Sequence, residues 1–183
     1  IYAGSYGWAS AGRFHHAQSQ IHRFLNCIGG YTRSVNTYSY AAAEVMVPHV
    51  IGGFVNMLNQ HTSWTAIAEH CELFVAFGGL VTDNGQIGNG GTGCHIQRDG
   101  IARSSGNGVE FVNVSPRRVD IEAGVAPRWI PIRPNADTAM MLALCHTLRR
   151  DDLADTDFID RYAVGYEAFA AYLDGATDGV VKS

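Results

Sequence analysis

Three short β-rich apolar runs constrain the fold most. LFVAF (73–77), VEFVNV (109–114) and RWIPI (128–132) are each followed at once by a turn signal, respectively Gly, Ser-Pro and Arg-Pro. Runs of this length and composition predict buried strands that enter loops. Between the first two lie the glycine-dense segment GQIGNGGTG (85–93) and room for a crossover helix; after the third, a helix is expected over about 136–148. Strand, crossover, strand and closing helix make a parallel α/β unit with flanking helices. In such open sheets ligands sit beyond the carboxyl ends of the strands, which puts Gly78, Ser115, Arg117 and Arg133 at the candidate binding edge. Two short helices, about 155–163 and 166–173, close the chain.

The first sixty residues read differently. Phe14, Ala17, Ile21, Phe24 and Leu25 recur at steps of three and four, while Arg13, His16, Gln20 and Arg23 fall opposite, which predicts an amphipathic helix over 10–26. Gly29 and Gly30 end it, since glycine accepts the left-handed conformation of a helix C-terminus. After a polar stretch, the alanine-rich run from Ala41 starts a second helix, which Pro48 should kink or replace with a new one reaching about Leu58. The chain thus divides into a helical segment, 1–60, and an α/β part, 61–183.

Composition excludes several classes. A chain of 183 residues, 46% hydrophobic and 16% charged, can bury a core. A net charge of −4 offers no basic face, so nucleic acid is not an expected partner. No run of 18 apolar residues suggests a membrane span. Cys27, Cys71, Cys94 and Cys145 lie 44, 23 and 51 residues apart, without zinc or iron-sulfur spacing, and read as four buried free thiols. The eight histidines form no metal set, and His15 and His16 sit on adjacent helix faces. No G-x-S-x-G elbow, nicotinamide fingerprint or P-loop occurs; Gly88 to Gly93 read either as a surface loop or as a nest of N–H groups.

Six separated segments are more specific. SYGWASAGRFHHAQSQIHRFLN begins at Ser5, and Ser39 in TYSYAAAEVMVPHVIG follows Trp8 by 31 residues. QHTSWTAIAEHCELFVAF, VEFVNVSPRR, RPNADTAMMLALCHTL and YEAFAAYLDGATDG come after them. In this order and at this spacing the chain resembles the molybdenum S-oxide and N-oxide reductases, which include the dimethyl sulfoxide, trimethylamine N-oxide and biotin sulfoxide reductases. The family's chains are considerably longer, and this one starts at Ile1, so the resemblance implies a fragment of a multidomain enzyme with a Rossmann-like cofactor domain.

The resemblance also implies the chemistry. Substrate oxygen passes to molybdenum held by two molybdopterin guanine dinucleotides, with Ser39 as the protein ligand. Taken alone, Ser39 before an alanine-rich helix reads as an N-cap; as a metal ligand it is a hard oxygen donor beside soft dithiolene sulfurs. Tyr6 and Trp8 read as core aromatics on their own; by resemblance Trp8 borders the metal and Tyr6 donates to the substrate oxygen, a feature of sulfoxide-reducing members. The aspartate that often stands two positions before the ligand in relatives is Thr37 here.

Ser10, Asn84, Ser115, Pro116 and Arg117 are implied to line the cofactor, the last three at its guanosine ribose and phosphate. Asp137 heads a helix, where an acid suits the helix dipole and Asn135 would cap; by resemblance it accepts from the guanine edge. After the first strand Gly79-Leu80 replaces the acid or amide before proline that relatives often show. The expected function is reduction of a small S-oxide or N-oxide, with a separate electron donor, in a bacterial cytoplasm or periplasm. The alternative is a non-catalytic guanosine-nucleotide-binding α/β module.

Overall fold

The computed structural model describes residues 1–5, 14–35, 39–83, 85 and 95–183. Among these the fold is mixed α/β with two parallel sheets.

The smaller sheet pairs β1 (Tyr2–Ala3) with β2 (Thr32–Arg33) in the register Tyr2↔Thr32 and Ala3↔Arg33. Only a polar stretch was expected at β2, because two residues carry no periodicity and the strand exists through its partner. Between them runs α1 (Ala17–Cys27). It starts later than the residue 10 expected. His16 is the N-cap, its Nδ1 accepting from Ser19 N–H at 3.1 Å, so an orphan donor of the first turn is satisfied there. Gly29 (φ 108°) and Gly30 (φ 94°) end the helix as expected, and Gly30 N–H donates to the Leu25 carbonyl at 2.9 Å.

Helices α2 (Ala41–Val50) and α3 (Phe54–Gln60) are bent by 94°. Pro48 does not cause the break; it lies inside α2, and the helix continues until Ile51 N–H closes on the Val47 carbonyl at 3.0 Å. The chain then turns at Gly52 (φ 102°), a conformation that glycine adopts without a Cβ penalty. The N-cap of α2 is Tyr40, which makes no side-chain cap bond, so Ser39 stands one residue outside the capping position.

The second sheet has the order β3-β4-β5, all parallel, from β3 (Leu73–Phe77), β4 (Glu110–Val114) and β5 (Arg128–Ile130). The crossover between β3 and β4 includes α5 (Ile96–Gly106), which packs on α4 (Trp64–His70), a helix capped by Ser63. Ile101, Val109 and Phe111 form the buried core, against which Trp64 and Phe74 pack. The Trp64, Phe74 and Phe111 rings stack in series, 5.9 and 5.5 Å between centroids. Each such side chain contributes about 1.5–3 kcal/mol on full burial. Burial is greatest on the central strand, where Phe111, Asn113 and Val114 are buried while Glu110 is exposed. β3 leaves Leu73 and Val75 exposed on one face, which corrects the expectation of three buried strands.

Beyond β5, Asn135 takes a left-handed φ of 69°, and α6 (Asp137–Arg150) begins with Ala136 at its N-cap, so Asn135 does not cap it. Helices α7 (Thr156–Tyr162) and α8 (Tyr166–Leu173) follow; α8 is anchored by buried Ala170 and Leu173, and Asp174 pairs with Arg149 of α6 at 2.5 Å. Cys27 is exposed and Cys71 and Cys145 are half-buried, not the buried thiols expected; Cys94 lies outside the described residues. Among the described residues no single helix is long and apolar enough to cross a membrane.

Candidate functional site

The carboxyl ends of the larger sheet are in register: Phe77, Val114 and Ile130 lie side by side. Parallel pairing therefore delivers three loops to one edge. Gly78 N–H continues the ladder onto the Val114 carbonyl (2.9 Å), and Ser115 N–H onto the Ile130 carbonyl (3.2 Å).

Strand β4 places Phe111, Asn113 and Ser115 on one face by its period of two. Asn113 is fully buried, and its amide donates to the carbonyls of Arg117 and Arg118, each at 3.2 Å, folding the loop after β4 back over the strand. Its Oδ1 has no hydrogen-bond partner among the described residues. Trp129, opposite Asn113 on β5, donates from Nε1 to the Ser115 carbonyl at 2.8 Å. The Ser115 hydroxyl accepts from Arg117 N–H at 3.2 Å and donates to the Asp120 carboxylate.

Asp120 joins the loops. Its Oδ1 lies 3.5 Å from Arg117 Nε, and its carbonyl accepts from Leu80 N–H, in the loop after β3, at 2.7 Å. A buried carboxylate is stable only when paired and hydrogen-bonded, and Ser115 and Arg117 supply both. Pro116 and Arg117 are exposed at the corner. The terminal nitrogens of Arg117 make no hydrogen bond among the described residues.

Asp137, half-buried, opens the first turn of α6; the Ala136 N–H to Arg133 carbonyl bond (3.0 Å) ties that turn to the segment leaving β5. The sheet edge thus gathers Gly78, the 115–117 corner, Arg133 and the head of α6. Exposed Arg117 and Arg133 on a chain of net charge −4 suit an anionic ligand end, such as a phosphate ester.

The second cluster of candidates centres on β1 and β2. Because these strands are parallel, the chain leaves both at the same end; a Cβ on Gly4 would lie 3.5 Å from Ser34 Oγ. The segment after Ser5 and the one leading to Ser39 therefore start from neighbouring points. Ser39 is exposed. Tyr6, Trp8, Ser10, Asn84 and the 86–94 loop lie outside the described residues.

Two residues of the corner had no place in the sequence reading. Asn113 is a polar residue in an otherwise apolar strand face, a signal that was there to use. Asp120 had no motif; it is marked by its burial (7% exposed) together with its bonds to Ser115, Arg117 and Leu80. A polar cleft of about 340 Å³ beside the β3–α5 loop, lined by Thr82, Asp83, His95, Arg98 and Glu122 among others, mixes both charge signs, and Arg98 and Glu122 pair within it at 3.3 Å.

With this geometry in hand, comparison with known proteins is decisive for the family. The molybdopterin oxidoreductase family model matches residues 1–168, and the chain belongs to that family. It is 42% identical over 182 residues to biotin sulfoxide reductase of Cereibacter sphaeroides, covering all of this chain and 24% of that protein. It is 34% identical to dimethyl sulfoxide/trimethylamine N-oxide reductase of the same organism and 32% identical to trimethylamine-N-oxide reductase of Haemophilus influenzae, in each case over the whole chain and 22% of the relative. The chain spans about a quarter of the length of these relatives. Membership implies a molybdenum–pterin cofactor.

Proposed function

We propose that the protein carrying this chain reduces a small S-oxide or N-oxide at molybdenum held by a pair of molybdopterin guanine dinucleotides. The observation that carries the reading is the family match from residue 1 to 168, together with relatives that are named biotin sulfoxide, dimethyl sulfoxide/trimethylamine N-oxide and trimethylamine-N-oxide reductases. When bound, the cofactor supplies the redox centre for taking an oxygen atom from sulfur or nitrogen. An electron donor, protein or small reductant, completes the cycle.

Residues 1–60 form the metal-bearing segment and 61–183 a Rossmann-like unit for one dinucleotide. In the first, the Ser39 side-chain oxygen ligates the metal, Trp8 borders it and Ser10 lines the cofactor. The parallel exit of β1 and β2 supports bringing these stretches together. Tyr6 donates a hydrogen bond to the substrate oxygen, stabilising charge that builds there as the bond breaks.

In the second unit, Pro116 and Arg117 face the ribose and phosphate, and buried Ser115 holds their loop in shape. Asp137 accepts from the guanine edge at the head of α6, and Asn84 completes the lining. The exposed guanidinium groups of Arg117 and Arg133 support an anionic ligand at this edge.

The test is the full-length protein. Purified under anaerobic conditions, it should contain molybdenum and guanine-bearing pterin and oxidise a reduced viologen dye when given a sulfoxide or trimethylamine N-oxide. A protein without molybdenum, or inert toward both oxide classes when loaded, overturns the reading.

A further inference from the structure

We infer that Asp120 is a positioning residue for the cofactor: it fixes the Arg117 guanidinium so that its terminal nitrogens meet the cofactor's phosphate. This rests on the proposed role of the 115–117 corner and adds a residue that the family resemblance did not supply.

The geometry separates the two ends of Arg117. Its side chain is 71% exposed, whereas that of Asp120 is 9% exposed, and the contact between them runs through Nε at 3.5 Å. An arginine tied through Nε keeps both terminal nitrogens, a planar pair matched to two oxygens of a phosphate. Left untied, the long side chain samples many rotamers, and ordering it on binding costs conformational entropy. Asp120 removes much of that cost beforehand.

The acid is itself held rigidly. The Ser115 hydroxyl donates to Oδ2, and Leu80 N–H donates to its carbonyl at 2.7 Å. Gly79 crowds it so closely that no side chain fits between them, since an added Cβ would stand 2.4 Å from Asp120 Cβ. Asn113 holds the Arg117 and Arg118 carbonyls from beneath, so the backbone that bears the guanidinium is fixed as well. Asp120 thus links the loops after β3 and β4 to one exposed cation.

The full-length enzyme tests this with Asp120→Asn, Arg117→Ala and the double variant. Molybdenum and pterin per folded protein are measured after gel filtration, together with the melting temperature of the cofactor-free form. We expect Asp120→Asn to lose pterin several-fold. Arg117→Ala should lose at least as much, and the double variant no more than Arg117→Ala alone, because the acid acts through the arginine. Losses that multiply in the double variant, or full retention in Asp120→Asn, overturn the inference. Full retention in Arg117→Ala instead overturns the proposed role of the corner itself. If Asp120→Asn does not fold, Arg117→Lys decides: an ammonium has one nitrogen and cannot pair with Asp120 and also present a planar fork, so it should lose pterin nearly as Arg117→Ala does. Full retention in Arg117→Lys contradicts the inference.

Discussion

Gly79 and Asp120 are in backbone-to-side-chain contact so close that a Cβ added to Gly79 would lie 2.4 Å from Asp120 Cβ and 2.8 Å from its carbonyl oxygen. Gly79 also has a left-handed φ of 80°. Its neighbour Gly78 shares that conformation, at φ 85°, but has open space where a Cβ would go. Alanine at Gly78 should therefore cost only the backbone strain, about 1–3 kcal/mol. Alanine at Gly79 should cost more, because Asp120 must move as well. Thermal unfolding of the two variants checks the order; equal losses would show that the contact is slack.

Gly100 gives a test in which the sign reverses. A glycine inside a helix is normally improved by alanine, by roughly 1 kcal/mol. Gly100 of α5 is buried beneath Trp64, and an added Cβ would stand 2.3 Å from Trp64 Cγ. Gly100→Ala should therefore destabilise, with Trp64 fluorescence altered as the ring is displaced from its stack on Phe74. A stabilised variant with unchanged fluorescence would contradict the α4–α5 packing.

Much of the sheet was legible because its signals are local. β3 matches its apolar run residue for residue, and α6 its periodic one to within two residues at the end, since run length and flanking turn residues decide such elements. What the sequence hid depends either on a distant partner or on which of several local signals prevails. β2 exists by pairing with β1, the start of α1 is set by the His16 ring, and the break after α2 falls at Gly52 while Pro48 is absorbed in the last turn. At the candidate site the loop positions after the strands were readable, but Asp120 was not. Nothing in SPRRVD says that its acid is folded inward.

Acid sensitivity should appear at the chain's end. Lys182 Nζ donates to both Asp178 oxygens, at 2.7 and 2.8 Å, and Val180 N–H adds a third bond at 3.1 Å. The ammonium hydrogen bond first, and the backbone bond next, hold the Asp178 carboxyl below its usual range. A folded-state value below the unfolded one means that the unfolded chain binds the proton more readily. The contribution is therefore present above about pH 4, the ordinary aspartate value, and is lost as pH falls through the depressed one. The stability difference between wild type and Asp178→Asn should shrink over that window. A difference independent of pH would show that the pair contributes nothing.

Tyr6 is expected to favour sulfoxides over amine N-oxides. Tyr6→Phe in the full-length enzyme should lower kcat/KM for a sulfoxide more than for trimethylamine N-oxide, by about 1–2 kcal/mol of barrier for one lost hydrogen bond. Steady-state kinetics on both substrates measures it. Equal losses, or none, would leave Tyr6 a packing residue only.

The central claim is that this segment carries the metal ligand, and X-ray absorption at the molybdenum edge of the full-length enzyme tests it most directly. Ser39→Ala should remove one oxygen scatterer from the first shell and lower turnover strongly, while the sulfur scatterers of the cofactor remain. A first shell identical to that of the wild type would contradict the account.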